Sequence, residues 1–164
     1  MPPTDNLRFK VLVVDDHPNA ANMLARAISR IGSHVVVAPA TSGYEALQHF
    51  ESNTVDILIT DMMMPEMTGV ELIEILNDQP SISPAVSFLL TAHDSAGLRE
   101  IAHRLNVRQV ISKPVHTEWI CQLISQTIDE LKQSKSVNSE PDLQKMTMIV
   151  PEVEPSSSEN EVRF

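Results

Sequence analysis

The residues of this sequence best suited to chemistry are three carboxylates, a hydroxyl and an amine. Each follows an apolar run: Asp15 and Asp16 after FKVLVV, Asp61 after DILIT, Thr91 after AVSFLL, and Lys113 after a shorter run. Carboxylates that are drawn together repel one another unless a cation neutralises them. Oxygen ligands favour Mg²⁺, which binds through one or two carboxylates together with phosphate oxygens. The set therefore predicts a Mg²⁺ site at which an anion also binds.

The hydroxyl and the amine are not needed for metal binding, but both suit a phosphoryl group. Lysine binds phosphate as a point charge, and threonine can donate a hydrogen bond to a phosphoryl oxygen. A carboxylate beside Mg²⁺ with a lysine opposite has the groups needed to form an aspartyl-phosphate. The sequence shows no His–Ser or His–Cys pairing typical of acyl transfer, and its 4 glycines form no phosphate-binding loop.

Short apolar runs that alternate with helical patterns must position these residues. Strands are predicted over about 9–14, 34–38, 56–60, 85–90 and 108–112, and helices over about 18–31, 43–51, 69–77, 96–105 and 117–131. This alternation favours right-handed crossovers and a parallel sheet covered on both faces, a doubly wound α/β fold. Ligands of such sheets bind beyond the carboxyl ends of the strands, which is where the five polar residues are predicted to converge.

Composition limits the partners and the location that can be expected. The 164 residues are 42% hydrophobic, with a net charge of −10, so neither nucleic acid nor an anionic membrane is an expected partner. The single cysteine, Cys121, excludes an internal disulfide and suits a reducing compartment. The sequence has no apolar signal-peptide core and no run near 18 apolar residues, so we expect a cytoplasmic location.

The chain divides by composition into one folded part and two flanking segments. Residues 7–132 are predicted to form the α/β domain, and residues 1–6 a disordered N-terminus. Residues 133–164 are rich in Ser, Pro and Glu and lack the apolar density to bury themselves. We therefore expect an acidic disordered tail there, or a linker to a further domain.

Four short motifs resemble the response-regulator receiver family of two-component signalling, over nearly all of residues 7–132. They are VVDDH at 13–17, DMMMPEMTG at 61–69, TAHD at 91–94 and KP at 113–114. The intervals Asp61 to Thr91 and Thr91 to Lys113 also match those of the family. The resemblance implies a flavodoxin-like fold with five parallel strands in the order 2-1-3-4-5 and five helices.

The resemblance also implies roles for individual residues in binding Mg²⁺. Asp61 would be the phosphoacceptor and a Mg²⁺ ligand, Asp16 would bind the ion directly, and Asp15 would bind it through water. The backbone carbonyl of Met63 would supply a further ligand.

Two more residues would act on the phosphoryl group itself. Lys113 would pair with it, and Thr91 would move toward it as the switch. The resemblance also implies a cis peptide at Lys113–Pro114 and a loop into the third helix shaped by Pro65 and Gly69. The expected reaction is self-catalysed transfer to Asp61 and autodephosphorylation, without the turnover of an enzyme.

The same resemblance implies that the phosphoryl group comes from a histidine kinase or a phosphotransfer protein. A downstream target protein would bind the face formed by the fourth helix, fifth strand and fifth helix, where Trp119 is a possible anchor. The family usually has an aromatic residue three positions before the lysine, but here that residue is Val110. We therefore predict that activation passes through movement of the backbone and of the fourth helix.

Two other positions bear on the lifetime of the phosphoryl group and on metal binding. The apolar Met63 cannot orient an attacking water, which predicts that the phosphoryl group is not unusually short-lived. The histidines other than His93, at positions 17, 34, 49, 103 and 116, form no pattern typical of a metal site in the sequence.

Three alternatives remain open from the sequence. The chain could be a receiver-like interaction module that works without phosphorylation, which the Val110 departure favours. It could be the N-terminal receiver of a longer kinase or regulator. It could also be a Mg²⁺-dependent phosphohydrolase, although Met63 stands where such enzymes usually have a second acid–base carboxylate.

Overall fold

A computed structural model describes residues 7–137, in which five strands alternate with five helices. The strands are β1 Phe9–Val14, β2 Val35–Ala40, β3 Ile57–Asp61, β4 Val86–Thr91 and β5 Gln109–Ser112. The helices are α1 Pro18–Ser29, α2 Gly43–Ser52, α3 Gly69–Asn77, α4 Ala96–Arg104 and α5 Thr117–Val137.

The strands form one parallel sheet in the order β2-β1-β3-β4-β5. This result confirms the predicted α/β class and strand order. All residues of β3 and β4 are buried, as expected for interior strands of a sheet covered on both faces. The direction of strand progression reverses between β1 and β3, so the carboxyl ends of these two strands border the crevice in which such folds bind ligands.

The core is mostly aliphatic, as the composition predicts. Three of the 4 phenylalanines, Phe9, Phe50 and Phe88, are fully buried, and leucine, isoleucine and valine make up most of the remaining buried side chains. One cluster packs Leu12 and Leu58 of the sheet against Leu72 of α3. Each such side chain contributes about 1.5–3 kcal/mol when it is fully buried. These buried side chains therefore hold the central strands in place, together with the residues at the strand ends.

Side-chain caps determine where three of the helices begin. Ser42 and Ser95 accept hydrogen bonds from the backbone N–H groups of Glu45 and Leu98, respectively. Thr68 and Glu71 form a reciprocal capping box at the start of α3. Each cap contributes about 1 kcal/mol. The cap of α3 also determines the length of the loop that connects this helix to β3.

Several boundaries differ from those predicted. β3 extends to Asp61 and β4 to Thr91, so these side chains end the strands instead of beginning the loops. The helix α1 ends two residues before the predicted position, and α5 runs to Val137, past the predicted end of the domain at residue 132. Residues 1–6 and 138–164, which hold the predicted N-terminal segment and most of the predicted tail, lie outside the described residues.

Two units divide the chain, one up to Asp129 and one from Glu130. The first contains the whole sheet. In the second, the structure describes residues 130–137, which are helical. Among the described residues, no helix is both long enough and apolar enough to cross a membrane.

Candidate functional site

The carboxyl edge of the sheet brings four of the predicted residues to the ends of four strands. Asp15 follows β1, Asp61 ends β3, Thr91 ends β4 and Lys113 follows β5 by one residue. The register pairs Asp61 with Leu90 and Thr91 with Ser112, so the ends of β3, β4 and β5 lie nearly level. Because the carboxyl ends of these parallel strands lie level, the side chains that end them are presented at one edge of the sheet.

Asp61 is buried at the end of β3, where only 5% of the residue is exposed. Burial raises the pKa of its carboxyl group, because the charged form loses hydration. The ammonium of Lys113 lowers this pKa, and the carboxylates of Asp15 and Asp16 raise it, so that the net change is upward. The Asp61 carboxylate is thus only partly neutralised by the groups around it.

Lys113 connects two of the carboxylates. Its Nζ lies 3.2 Å from Oδ2 of Asp15 and 3.1 Å from Oδ2 of Asp61. Burial lowers the pKa of Lys113, but hydrogen bonds and charge attraction from Asp61 and Asp15 outweigh it and raise this pKa overall. The lysine therefore remains charged, and its single ammonium contacts the carboxylates of both Asp15 and Asp61. The pKa of Asp61 rises as well as that of Lys113, because one lysine cannot compensate for burial and two other carboxylates.

The peptide bond between Lys113 and Pro114 is cis, which confirms the expectation from the KP motif. The backbone N–H of Lys113 donates to the carbonyl oxygen of Thr91 at 2.8 Å, which continues the pairing of β5 with β4 beyond Ser112. The backbone of Lys113 is thus hydrogen-bonded to the sheet. Its side chain reaches Asp15, which follows β1, and Asp61 at the end of β3.

The side chains of Asp15 and Asp16 differ in their partners. Asp15 Oδ1 accepts a hydrogen bond from the backbone N–H of His17 at 2.9 Å. Asp16 Oδ1 is buried and accepts no hydrogen bond from any residue of the described part. His17 Nδ1 lies 3.2 Å from this oxygen, which is close enough for a hydrogen bond, but the contact does not have the geometry of one. A buried carboxylate oxygen without a donor is costly unless a cation satisfies it, so this donor set fits a divalent metal ion.

His17 belongs to this cluster, contrary to the prediction that it joins no group of metal-ligand type. One ligand atom each from Asp15, Asp16 and His17 lies within 4.8 Å of the other two. Asp61 is not part of that group of three. The sequence held a signal that was overlooked, since Asp15, Asp16 and His17 are consecutive and open a helix.

Thr91 is 2% exposed, and its hydroxyl bonds to the loop that follows β4. Oγ1 donates to the carbonyl oxygen of His93 at 3.2 Å and accepts from the backbone N–H of His93 at 3.0 Å. Both bonds close a small turn onto the strand end. The hydroxyl must break the bond to the His93 carbonyl before it can donate to another group.

The loop between β3 and α3 is folded tightly against Asp61. The backbone N–H of Gly69 donates to the carbonyl of Met62 at 3.0 Å, and Glu66 adopts a positive φ of 67°. A Cβ atom at Gly69 would collide with the carbonyl oxygen of Asp61 and lie 2.8 Å from Leu89 Cδ1. Only glycine fits at this position without movement of the backbone. The Met63 side chain in the same loop is 65% exposed, and the role predicted for its carbonyl stays a prediction.

A mainly apolar cavity of about 470 Å³ adjoins the site. Asp15 and Lys113 line it on the polar side, and Leu24, Leu90 and Pro114 line the rest. A larger cavity of about 690 Å³ lies along α3, away from Asp61 and Lys113, and includes Glu71 and Glu74 in its lining. The smaller cavity is the one relevant to Asp61, because it shares two side chains with the charged cluster.

The α4–β5 region contains two arginines that are paired with acidic residues. Arg99 pairs with Asp94, and Arg104 pairs with Glu100 within α4. Val110 is half-buried and packs against the core cluster that includes Leu58 and Leu72. Trp119, the possible anchor at the start of α5, is 41% exposed. The two ion pairs compensate the charges of Arg99 and Arg104 locally.

A family model describing the response regulator receiver domain matches residues 11–125. An uncharacterized 14.6 kDa protein of Leptolyngbya boryana is 33% identical over 119 residues, which cover 73% of this chain and 89% of that protein. The signal transduction histidine-protein kinase BarA of Escherichia coli K12 is 25% identical over 126 residues, which cover 76% of this chain and 14% of the kinase. This chain thus matches nearly the whole of one relative but only a small part of the other.

The structure of the chemotaxis protein CheY4 of Vibrio cholerae superposes with a TM-score of 0.67 at 25% sequence identity. The superposition covers 73% of this chain and 98% of that one. The family match includes Asp15, Asp16, Asp61, Thr91 and Lys113, all of which lie at the sheet edge described above. The chain therefore belongs to the response regulator receiver domain family of two-component signalling.

Proposed function

We propose that this receiver domain accepts a phosphoryl group on Asp61 from a histidine kinase or a phosphotransfer protein. The observation that carries the proposal is the position of the Lys113 ammonium, 3.1 Å from Asp61 Oδ2 and 3.2 Å from Asp15 Oδ2. This ammonium is placed to pair with a phosphoryl oxygen once a phosphoryl group is bonded to Asp61. The buried, incompletely neutralised Asp61 is the carboxylate nearest to it.

The proposed reaction is an exchange of one bond to phosphorus for another. An Asp61 carboxylate oxygen attacks the phosphorus of a donor phosphohistidine, an O–P bond forms and the P–N bond breaks. The histidine nitrogen leaves with the electron pair of the broken bond. Lys113 stabilises the charge on the transferred group. The Thr91 hydroxyl, once released from the carbonyl of His93, donates to one of the phosphoryl oxygens.

The proposed cofactor is Mg²⁺, held by Asp16 and Asp61 directly, by Asp15 through water and by the backbone carbonyl of Met63. The unsatisfied Asp16 Oδ1 and the excess of carboxylates over ammonium groups support this assignment. When bound, Mg²⁺ neutralises negative charge on the carboxylates and on the phosphoryl oxygens.

We infer that the chain undergoes this transfer and holds a phosphoryl group that is not unusually short-lived, without turnover of other substrates. A phosphohydrolase with an aspartate nucleophile usually has an acid–base carboxylate two residues further on, and Met63 occupies that position. The exposed thioether of Met63 cannot orient a water molecule for attack. These features support a signalling role, for which the proposed location is the cytoplasm.

The proposed output is a contact with a target protein through the face formed by α4, β5 and α5. Trp119 and Ile101 are 41% and 43% exposed there, which supports an interface that contains apolar anchors. Val110 is too small to swap between a buried and an exposed rotamer as an aromatic residue can. We therefore propose that backbone movement at Thr91 and displacement of α4 transmit the signal.

Mass spectrometry of the intact 164-residue chain tests the acceptor assignment. Acetyl phosphate and Mg²⁺ should add one phosphoryl group, and Asp61→Asn should abolish the adduct because it removes the nucleophile and keeps the shape. Asp78→Asn, at the end of α3, is the matched control and should leave the adduct unchanged. An adduct of equal yield in Asp61→Asn would reject Asp61 as the acceptor.

The half-buried position of Val110 supports a second candidate, a module that binds its partner without phosphorylation. Hydrogen exchange of α4, measured with and without beryllium fluoride and Mg²⁺, separates the two candidates. We expect the exchange of α4 amides to change in the wild type and in Val110→Phe, because movement of α4 does not require an aromatic residue. Unchanged exchange in the wild type, despite stable adduct formation, would support the second candidate.

A further inference from the structure

His17 places an imidazole nitrogen beside the two carboxylates that precede it. Its Nδ1 lies 3.2 Å from Asp16 Oδ1 and 3.4 Å from Asp15 Oδ1. Ligand atoms that occupy neighbouring positions around one ion at bond lengths of about 2.0–2.2 Å lie roughly 3 Å apart. The spacing between these atoms is therefore close to that of ligands on a shared divalent ion.

The exposed imidazole of His17 is positioned against the two aspartate carboxylates and not against the core. His17 is the N-cap residue of α1, but its side chain makes no capping hydrogen bond. The side chain is 78% exposed, so packing against the core does not hold it. The backbone of His17 is engaged locally, through the N–H that donates to Asp15 Oδ1 at 2.9 Å and the carbonyl that accepts from the N–H of Ala21 at 3.1 Å. The position of the ring is therefore determined by the carboxylates beside it.

The contact between the ring and Asp16 is not a hydrogen bond. Asp16 Oδ1 is buried and has no hydrogen-bond donor within the described part of the chain, although His17 Nδ1 is 3.2 Å away. The buried oxygen is therefore left without a donor, which is costly in itself. A cation bound by both atoms would supply the missing partner of this oxygen.

We propose that His17 supplies a nitrogen ligand to the divalent-cation site and shifts its preference from Mg²⁺ toward transition ions such as Co²⁺, Ni²⁺ and Zn²⁺. Carboxylate and water suit Mg²⁺, whereas imidazole suits the later first-row metals, which also bind nitrogen ligands more tightly. The inference rests on the proposed function in one respect, the use of Asp16 as a metal ligand.

Metal titration of the 164-residue chain, without any phosphodonor, tests the role of His17. Calorimetry measures the affinities for Co²⁺ and Mg²⁺ separately, and the visible absorption of bound Co²⁺ reports a change in its ligands. We expect His17→Ala to weaken Co²⁺ binding by about tenfold or more and to alter the Co²⁺ spectrum. Its Mg²⁺ affinity should change by less than about twofold, because Mg²⁺ prefers oxygen ligands.

Two control variants make the result specific to this site. His103→Ala removes an exposed histidine of α4 and should change neither affinity. Asp16→Asn should weaken the binding of both ions, because both use this carboxylate. Equal Co²⁺ affinity in wild type and His17→Ala would overturn the proposal, and so would Co²⁺ binding that survives Asp16→Asn.

One more variant and one combined outcome separate this inference from a failure of the proposed function. His17→Gln, which retains a polar side chain with an oxygen ligand, should keep Mg²⁺ binding and lose the preference for Co²⁺. If His17→Gln bound Co²⁺ as tightly as wild type does, the proposal would be overturned. If the wild type formed no Asp61 adduct but showed His17-dependent Co²⁺ binding, the proposed function would fail and this inference would stand.

Discussion

Ionic contacts at the carboxyl edge of the sheet differ in burial from those on α4. Lys113 is 29% exposed and meets Asp15 and Asp61 side chains that are 6% and 7% exposed. On α4, Arg99 and Arg104 are 70% and 72% exposed in their pairs with Asp94 and Glu100. Charges removed from water interact strongly and are costly to leave unpaired, whereas exposed pairs contribute little. The carboxyl edge of the sheet, here called the acceptor edge after the role proposed for Asp61, therefore holds its charges in buried contacts, whereas the ion pairs of α4 are solvated.

Removing the lysine should produce the largest effect and would sharpen this contrast. We expect Lys113→Gln to slow formation of the Asp61 adduct by about 10²–10³-fold, because one charged stabiliser of the transferred group is lost. The rate is measured by mass spectrometry with acetyl phosphate at saturating Mg²⁺. Lys10→Gln, a half-buried lysine on β1, is the control and should leave the rate unchanged. If Lys113→Gln formed the adduct at a rate within twofold of wild type, Lys113 would have no role in the proposed transfer.

Metal binding should stabilise the acceptor edge without involving α4. At Mg²⁺ concentrations about 100 times the dissociation constant, the free energy of unfolding should rise by about 2.7 kcal/mol, because the ion binds only the folded site. Asp16→Asn should lose most of this gain and should be more stable than wild type without metal, since one of three crowded carboxylates is gone. Urea denaturation with Mg²⁺ or with EDTA measures both quantities. If Mg²⁺ raised the free energy of unfolding of Asp16→Asn as much as that of wild type, the ion would bind at another site.

Two glycine substitutions compare packing in the same two regions. Gly69→Ala should destabilise the protein by about 1–3 kcal/mol, because its Cβ would collide with the Asp61 carbonyl and the Leu89 side chain. Gly97→Ala, on α4, meets no atom within 4 Å and should stabilise it by up to about 1 kcal/mol through helix propensity. Midpoints of urea denaturation measure both changes. Equal effects of the two substitutions would contradict the expected difference in packing between Gly69, beside Asp61, and Gly97 on α4.

The smallest effect is expected for an exposed ion pair on α4. Arg104→Ala should cost at most about 0.5 kcal/mol, because its pair with Glu100 is solvated and spans one helical turn. The difference from wild type should shrink as salt is added. Urea denaturation at low and high salt measures it. A loss above 1 kcal/mol would show that α4 is held by its charges, and the comparison with the acceptor edge would fail.

Local patterns predicted the elements of the fold well. The bounds of β1 and α3 agree with prediction, because a compact apolar run and a capped helix start are both encoded by neighbouring residues. The ends of α1 and α5 were wrong by two and six residues, respectively, since nothing in the local composition marks where packing stops supporting a helix. The positions of Asp61, Thr91 and Lys113 at the strand ends were predicted from the apolar runs that precede them, and the family match includes all three residues.

The sequence by itself determined the class of fold and the set of residues at the strand ends, because both depend on order along the chain. Only the tertiary structure decided which of them meet: Lys113 reaches Asp15 across 98 positions, and Asp16 keeps a buried oxygen without a hydrogen bond. Tertiary packing also brought the ring of His17 to this oxygen, and it left the side chain of Val110 half-buried. Distances between side chains and their loss of water depend on all the elements together, and no local pattern encodes them.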